Sequence, residues 1–230
     1  MPPRKPAALP AARVELASAL AWLEAHGTRE TRDGMARYGI PSTHAYGVTV
    51  GATKAYAKQI GKDHALAQAL WQSGWYEARL LASFVDDASA VTSSQMDAWA
   101  ADFDSWAICD TVCFHLFDRS ALAWTKVNAW AKARAEFKKR AAFALLWGLT
   151  VHDKAAPNER FVACLPLIEQ AASDERDYVK KGVDMALRAL GKRNPTLHKS
   201  ALALAARLQD SSEPAQAWIG RSTWRELSKR

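Results

Sequence analysis

The stretch SWAICDTVC, residues 105–113, puts a carboxylate into an apolar helical segment. Trp106 and Asp110 are four residues apart, so on a helix both side chains leave one face, a turn apart. A carboxylate removed from water and left without a partner is costly, so something must compensate it. One account is a structural ion pair with Arg140 or Lys139 on a neighbouring helix. The other leaves Asp110 open to a cationic guest, with the Trp106 indole as a π surface for the same positive charge. Basic residues cluster further along, at Lys138, Lys139, Arg140, Lys180, Lys181 and Arg188, and groups of this kind hold phosphates. Arg188 and Lys192, one turn apart, fit a solvated helix face equally well.

Other chemistry-bearing residues give weaker patterns. Cys109-x3-Cys113-x-His115 has donors for zinc, but the spacing is not a familiar ligand pattern and buried cysteine is common. His152-Asp153 reads as a helix C-terminus rather than a catalytic dyad. GVTVGATK (47–54) lacks the G-x4-G-K-[ST] spacing of a phosphate loop. Trp71, Trp75, Trp124, Trp130 and Trp147 suit the layers between helices, and His115 the core. Arg37 and Tyr38 fit either nucleic-acid contact or plain surface.

These residues must be positioned by helices. The chain has 230 residues, is 49% hydrophobic and 24% charged, and carries ten tryptophans, enough for a substantial core. Its charge of +7 favours a polyanionic partner. Three cysteines argue against a disulfide framework and for a reducing, cytoplasmic setting. Arg13 and Glu15 interrupt any signal-peptide core, and no apolar run is long enough to span a membrane.

Residues 1–10, with four prolines, are expected to form a loose tail, and 11–230 a single all-α domain. Helices are expected over 11–26, 28–38, 42–60, 63–73, 75–86, 93–102, 104–117, 120–130, 134–152, 158–172, 175–191, 195–209 and 213–228. Ser42, Ser94, Asp104, Asn158, Asp174 and Asn194 are the expected caps. Second members of helix pairs begin near 75, 105, 137 and 176, an uneven repeat that suggests an α-solenoid whose second helices line a concave basic face. An irregular helical bundle is the alternative.

A cation carried on a polyanion is the guest that the carboxylate, indole and basic cluster suit together, and an alkylated purine in DNA is one. At this point the residues carry a resemblance. MARYGIPS (35–42), Trp106-x3-Asp110, FKKRAAFALLWGLTVHDK (137–154) and YVKKGVDMALRALGKRNP (178–195) resemble the DNA alkylation repair family of AlkD-like HEAT-repeat DNA glycosylases, from about Met35 to Leu208. The resemblance implies a cleft holding Trp106, Asp110 and Arg140. It also implies a second cleft tryptophan at the position taken here by Met185, which keeps apolar contact but lacks an indole face.

The implied activity is hydrolysis of the N-glycosidic bond of N3- or N7-alkylated purines. Asp110 would stabilise the oxocarbenium-like sugar and position or deprotonate water. Trp106 would contact sugar or lesion, and Arg140 would hold a phosphate and offset Asp110. Lys138, Lys139, Lys180, Lys181, Met185 and Arg188 would contact DNA. The expected partner is double-stranded DNA with alkylated bases, with no metal or organic cofactor, no obligate protein partner and a monomeric state. A non-catalytic protein that recognises damaged or distorted DNA is the alternative, and a protein–protein scaffold the third reading.

Overall fold

The computed structural model describes residues 11–229; the expected tail at 1–10 lies outside the described residues. Among the described residues every regular element is helical, as the residue pattern anticipates. The chain forms two compact units, Met1–Ala90 and Val91–Arg230.

The first unit holds α1 (Ala11–His26), α2 (Arg29–Gly34) with a 3-10 turn at Met35–Tyr38, α3 (Val50–Ile60), α4 (His64–Gln72) and α5 (Tyr76–Val85). The helix expected over 42–60 starts only at Val50. Thr49, not Ser42, caps it by accepting from the Ala52 N–H at 3.2 Å. The cause is remote in sequence. The fully buried Glu77 carboxylate of α5 accepts the N–H groups of Tyr46, Gly47 and Val48 at 2.9, 2.7 and 3.1 Å. Three such bonds fix this segment outside helical geometry. Gly47 sits there at φ 88°, with a would-be Cβ 2.1 Å from the Thr28 carbonyl oxygen, so no other residue fits.

The second unit holds α6 (Ser93–Ala101), α7 (Trp106–His115) followed by a 3-10 turn at Phe117–Arg119, α8 (Ala123–Trp130), α9 (Glu136–His152), α10 (Asn158–Val162), α11 (Leu165–Ala171), α12 (Asp177–Arg193), α13 (Pro195–Gln209) and α14 (Pro214–Leu227). The helix expected over 158–172 is broken at Ala163–Cys164 into α10 and α11. Helix α9 is the centre, packed against α12, α7 and α8. Its residues Arg140–Leu146 are all buried, and Ala141, Ala142 and Ala144 let neighbouring helices approach closely. Truncating Leu146 within such a core costs about 2–5 kcal/mol.

The second helices of the anticipated pairs are α5, α7, α9 and α12, each starting within about one residue of expectation. Caps were harder to place. Asn194 does cap α13, accepting from the Leu197 N–H at 3.0 Å, with Pro195 at the first helical position. Thr92 and Ser105 take the roles expected of Ser94 and Asp104. Helices α10 and α12 begin after Pro157 and Arg176 without side-chain caps, so neither Asn158 nor Asp174 serves there. No helix among the described residues is long and apolar enough to cross a membrane.

Candidate functional site

Trp106 opens α7 directly after its Ser105 cap, and Asp110 and Phe114 follow at successive turns of the same face. Trp106, Asp110 and Phe114 are half-buried, whereas Ile108, Cys109, Val112 and Cys113 behind them are buried. This face is therefore the less buried side of α7.

Asp110 is held by Arg140 of α9 in a two-pronged pair. Nε donates to Oδ1 at 2.8 Å and Nη2 to Oδ2 at 2.6 Å. Nη1 donates to the Tyr178 carbonyl at the start of α12, at 2.7 Å. One guanidinium thus ties together the three central helices. Its stem lies on Gly182 of α12, where a Cβ would come 3.2 Å from Arg140 Cγ. Burial pushes the Asp110 carboxyl above the usual carboxylate range, and Arg140 pulls it partly back. Burial works against the charge of Arg140, but Asp110 outweighs it and holds the guanidinium above its ordinary value. The acid's side chain remains 12% exposed and the guanidinium 7%. Each carboxylate oxygen has two acceptor sites, so one pronged partner does not exhaust Asp110.

The structural ion-pair account is therefore realised, with a small part of the carboxylate side chain still exposed. Met185 of α12 is half-buried, one turn past Lys181. The other basic residues expected to meet DNA all have acidic partners within the chain. Lys138 pairs with Asp97 at 3.1 Å, and Lys139 with Asp174 at 2.9 Å. Lys180 and Lys181 share Asp177 at 2.8 and 3.6 Å. Arg188 bonds Asp184 at 3.0 Å and also Glu226, which Lys192 shares. Burial pushes Asp97 up, but hydrogen bonds from Lys126, Trp130 and Lys138 outweigh it and bring it down to about 2. Hydrogen bonding from Arg176 and Lys139 overcomes burial at Asp174 and holds it well below the carboxylate range.

The remaining candidates have other duties. Cys109 and Cys113 are buried and donate weakly to the Phe137 and Ala141 carbonyls of α9. Among the described residues no cluster of three metal-ligating side chains occurs. His152 bonds Asp118 rather than its neighbour Asp153, whose carboxylate accepts from Trp124 Nε1 at 2.9 Å and the Ala156 N–H at 3.0 Å. His115 is half-buried rather than in the core. Trp71 and Trp130 do fill the layers, but Trp147 is half-buried, stacked on Phe114 at 4.2 Å.

Sequence reasoning missed Tyr178 and Gly182. Gly182, inside a helix where glycine costs about 1 kcal/mol, was the available signal of a close approach. The carboxylates that neutralise Lys138 and Lys139 gave no local signal, whereas Asp177, one turn before Lys180 and Lys181, did.

The sequence model of a family described as DNA alkylation repair enzyme matches residues 19–215. No curated protein matches the chain. One solved structure superposes with a TM-score of 0.76 at 22% identity, over 92% of this chain and 95% of that one. It is described as belonging to "a new family of proteins related to the HEAT-like repeat DNA glycosylases with affinity for branched DNA structures". The likeness assigns the fold to HEAT-like helical repeats.

Proposed function

The chain belongs to the DNA alkylation repair enzyme family, and from that membership we propose that it hydrolyses the N-glycosidic bond of N3- or N7-alkylated, positively charged purines in double-stranded DNA. The observation that carries this reading is the Asp110–Arg140 pair. It presents a guanidinium-held carboxylate, 12% exposed, one turn from a half-buried indole.

Alkylation makes the purine cationic and a good leaving group. As the C1′–N bond breaks, its electron pair returns to the base and neutralises it, while positive charge gathers at C1′. Asp110 stabilises that charge and accepts a proton from the water whose oxygen bonds to C1′. Trp106 supplies the π face for the sugar or the cationic base. Arg140 is a positioning residue. Its fork fixes the Asp110 oxygens, and the Tyr178 carbonyl fixes the fork. Lys138, Lys139, Lys180, Lys181 and Arg188 form a basic face that meets phosphates through N–H donors not used on carboxylates, while Met185 gives apolar contact.

A second reading is non-catalytic recognition of damaged or distorted DNA. Met185 in place of an indole favours it, as does the structural likeness to a protein with affinity for branched DNA. Incubation of the protein with duplex containing N7-methylguanine separates the two. Free N7-methylguanine in the supernatant supports hydrolysis. Retarded DNA with no freed base overturns hydrolysis and leaves recognition.

A further inference from the structure

Helix α14 starts at Pro214, so nearly all of it lies beyond residue 215, where the family match ends. Its inner face is apolar and buried through Ala215, Ile219, Thr223 and Leu227. Its outer face carries two tryptophans, Trp218 at 38% and Trp224 at 39% exposed. An indole left this open forgoes burial that most tryptophans obtain, so two on one helix call for an account. With 100° per residue, Trp218 and Arg225 fall on one stripe and Arg221 lies between the two indoles, with Lys229 just past the helix end.

The stripe borders a groove of about 480 Å³ between α12 and α14, lined by Lys181, Trp218, Ser222, Arg225 and Lys229 over a floor of Asp184, Arg188 and Glu226. Charges on the floor are satisfied. Arg188 bonds Asp184 and Glu226, and Asp184 also accepts from Thr223 at 3.1 Å. Charges on the rim differ. Arg225 and Lys229 have no ion pair among the described residues, whereas Lys181, also on the rim, pairs with Asp177 at 3.6 Å. Lys180 stands over the Trp218 ring, its ammonium 5.2 Å from the centroid, and outside the groove lining.

We propose that this groove is a second nucleic-acid site, which takes one unpaired nucleotide of DNA with the base against Trp218 and its phosphates on Arg225 and Lys229. The volume lies in the range of small-ligand sites, of about 300–1,000 Å³. An aromatic face with unneutralised cations beside it is the pairing by which single strands are held without regard to sequence. The proposal deepens the DNA-directed reading above, but it needs neither Asp110 nor a lesion.

The test is fluorescence anisotropy of the full chain with a labelled ten-nucleotide oligo-dT and, separately, an unmodified duplex of equal length. Trp218→Ala should weaken oligo-dT binding about tenfold, the scale of one lost base stack. Arg225→Gln with Lys229→Gln should lower the slope of log affinity against log salt by about 1.4, two phosphate contacts on a single strand. Trp224→Phe, off the groove, should leave both unchanged, and duplex affinity should change little in all three. Oligo-dT affinity equal to wild type in both groove variants overturns the site, as does wild type that does not bind oligo-dT. Wild type that binds oligo-dT through Trp218 yet frees no alkylated base upholds the groove and sinks only the glycosylase reading.

Discussion

At the residue scale, the account rests on a carboxylate that is neither free nor sealed. The sequence left two accounts of Asp110 open, ion pair or cleft acid, and the geometry joins them. Arg140 compensates the charge while part of the side chain stays exposed. Arg140 devotes its Nε, one Nη1 and one Nη2 donor to protein oxygens. Arg140→Ala should therefore lower stability by about 3–5 kcal/mol, because it leaves a buried carboxylate unpaired. Denaturant unfolding reads that loss. DNA affinity of the folded variant should change little, whereas a fall in affinity with unchanged stability would make Arg140 a phosphate contact instead.

At the element scale, helix identity was legible and helix ends were not. The four second helices show themselves through apolar periodicity, which is local. The failure over 42–49 comes from Glu77, some 30 residues away, whose carboxylate claims three backbone donors. Likewise, the partner of Lys139 is 35 residues distant, and Arg188 bonds Glu226, 38 residues away, besides its near neighbour Asp184. No short window of sequence contains the distant pairs, whereas Asp177 before Lys180 and Lys181 and Asp184 before Arg188 lay within one. Asp97 of α6 makes a test of this hidden network, since it joins α8 through Lys126 and Trp130 and α9 through Lys138. Its value of about 2, against 3.8 ordinarily, means that it stabilises the fold above the ordinary value and ceases to do so as pH falls through the lower one. Thermal melts should show wild type above Asp97→Asn near neutrality, with the gap closing as pH drops toward about 2. A gap independent of pH would show that the carboxylate is not ion-paired in solution.

At the scale of the whole molecule, the net charge of +7 already counts the carboxylates, so it does not say where the excess of cations lies. The basic residues of α9 and α12 are largely neutralised by Asp97, Asp174, Asp177 and Glu226. Duplex affinity should thus depend on salt only moderately. With about three effective phosphate contacts, log affinity against log salt has a slope of about −2.7. A titration across salt concentrations reads it directly. A slope near zero would contradict DNA as the partner and favour a protein scaffold, while one of about −6 or steeper would mean that the ion pairs open to DNA. Composition favoured a polyanionic partner, but only the fold shows which of the cations are paired within the chain.

The central claim is that Asp110 acts on the breaking glycosidic bond. Its most direct test is single-turnover release of N7-methylguanine by wild type and Asp110→Asn, beside DNA affinity of both proteins, with folding checked by circular dichroism. The account predicts release slower by about 10²–10³-fold, the usual cost of losing an electrostatic stabiliser, with affinity nearly unchanged. Release at the wild-type rate from the folded variant, or release and affinity falling together, would contradict it.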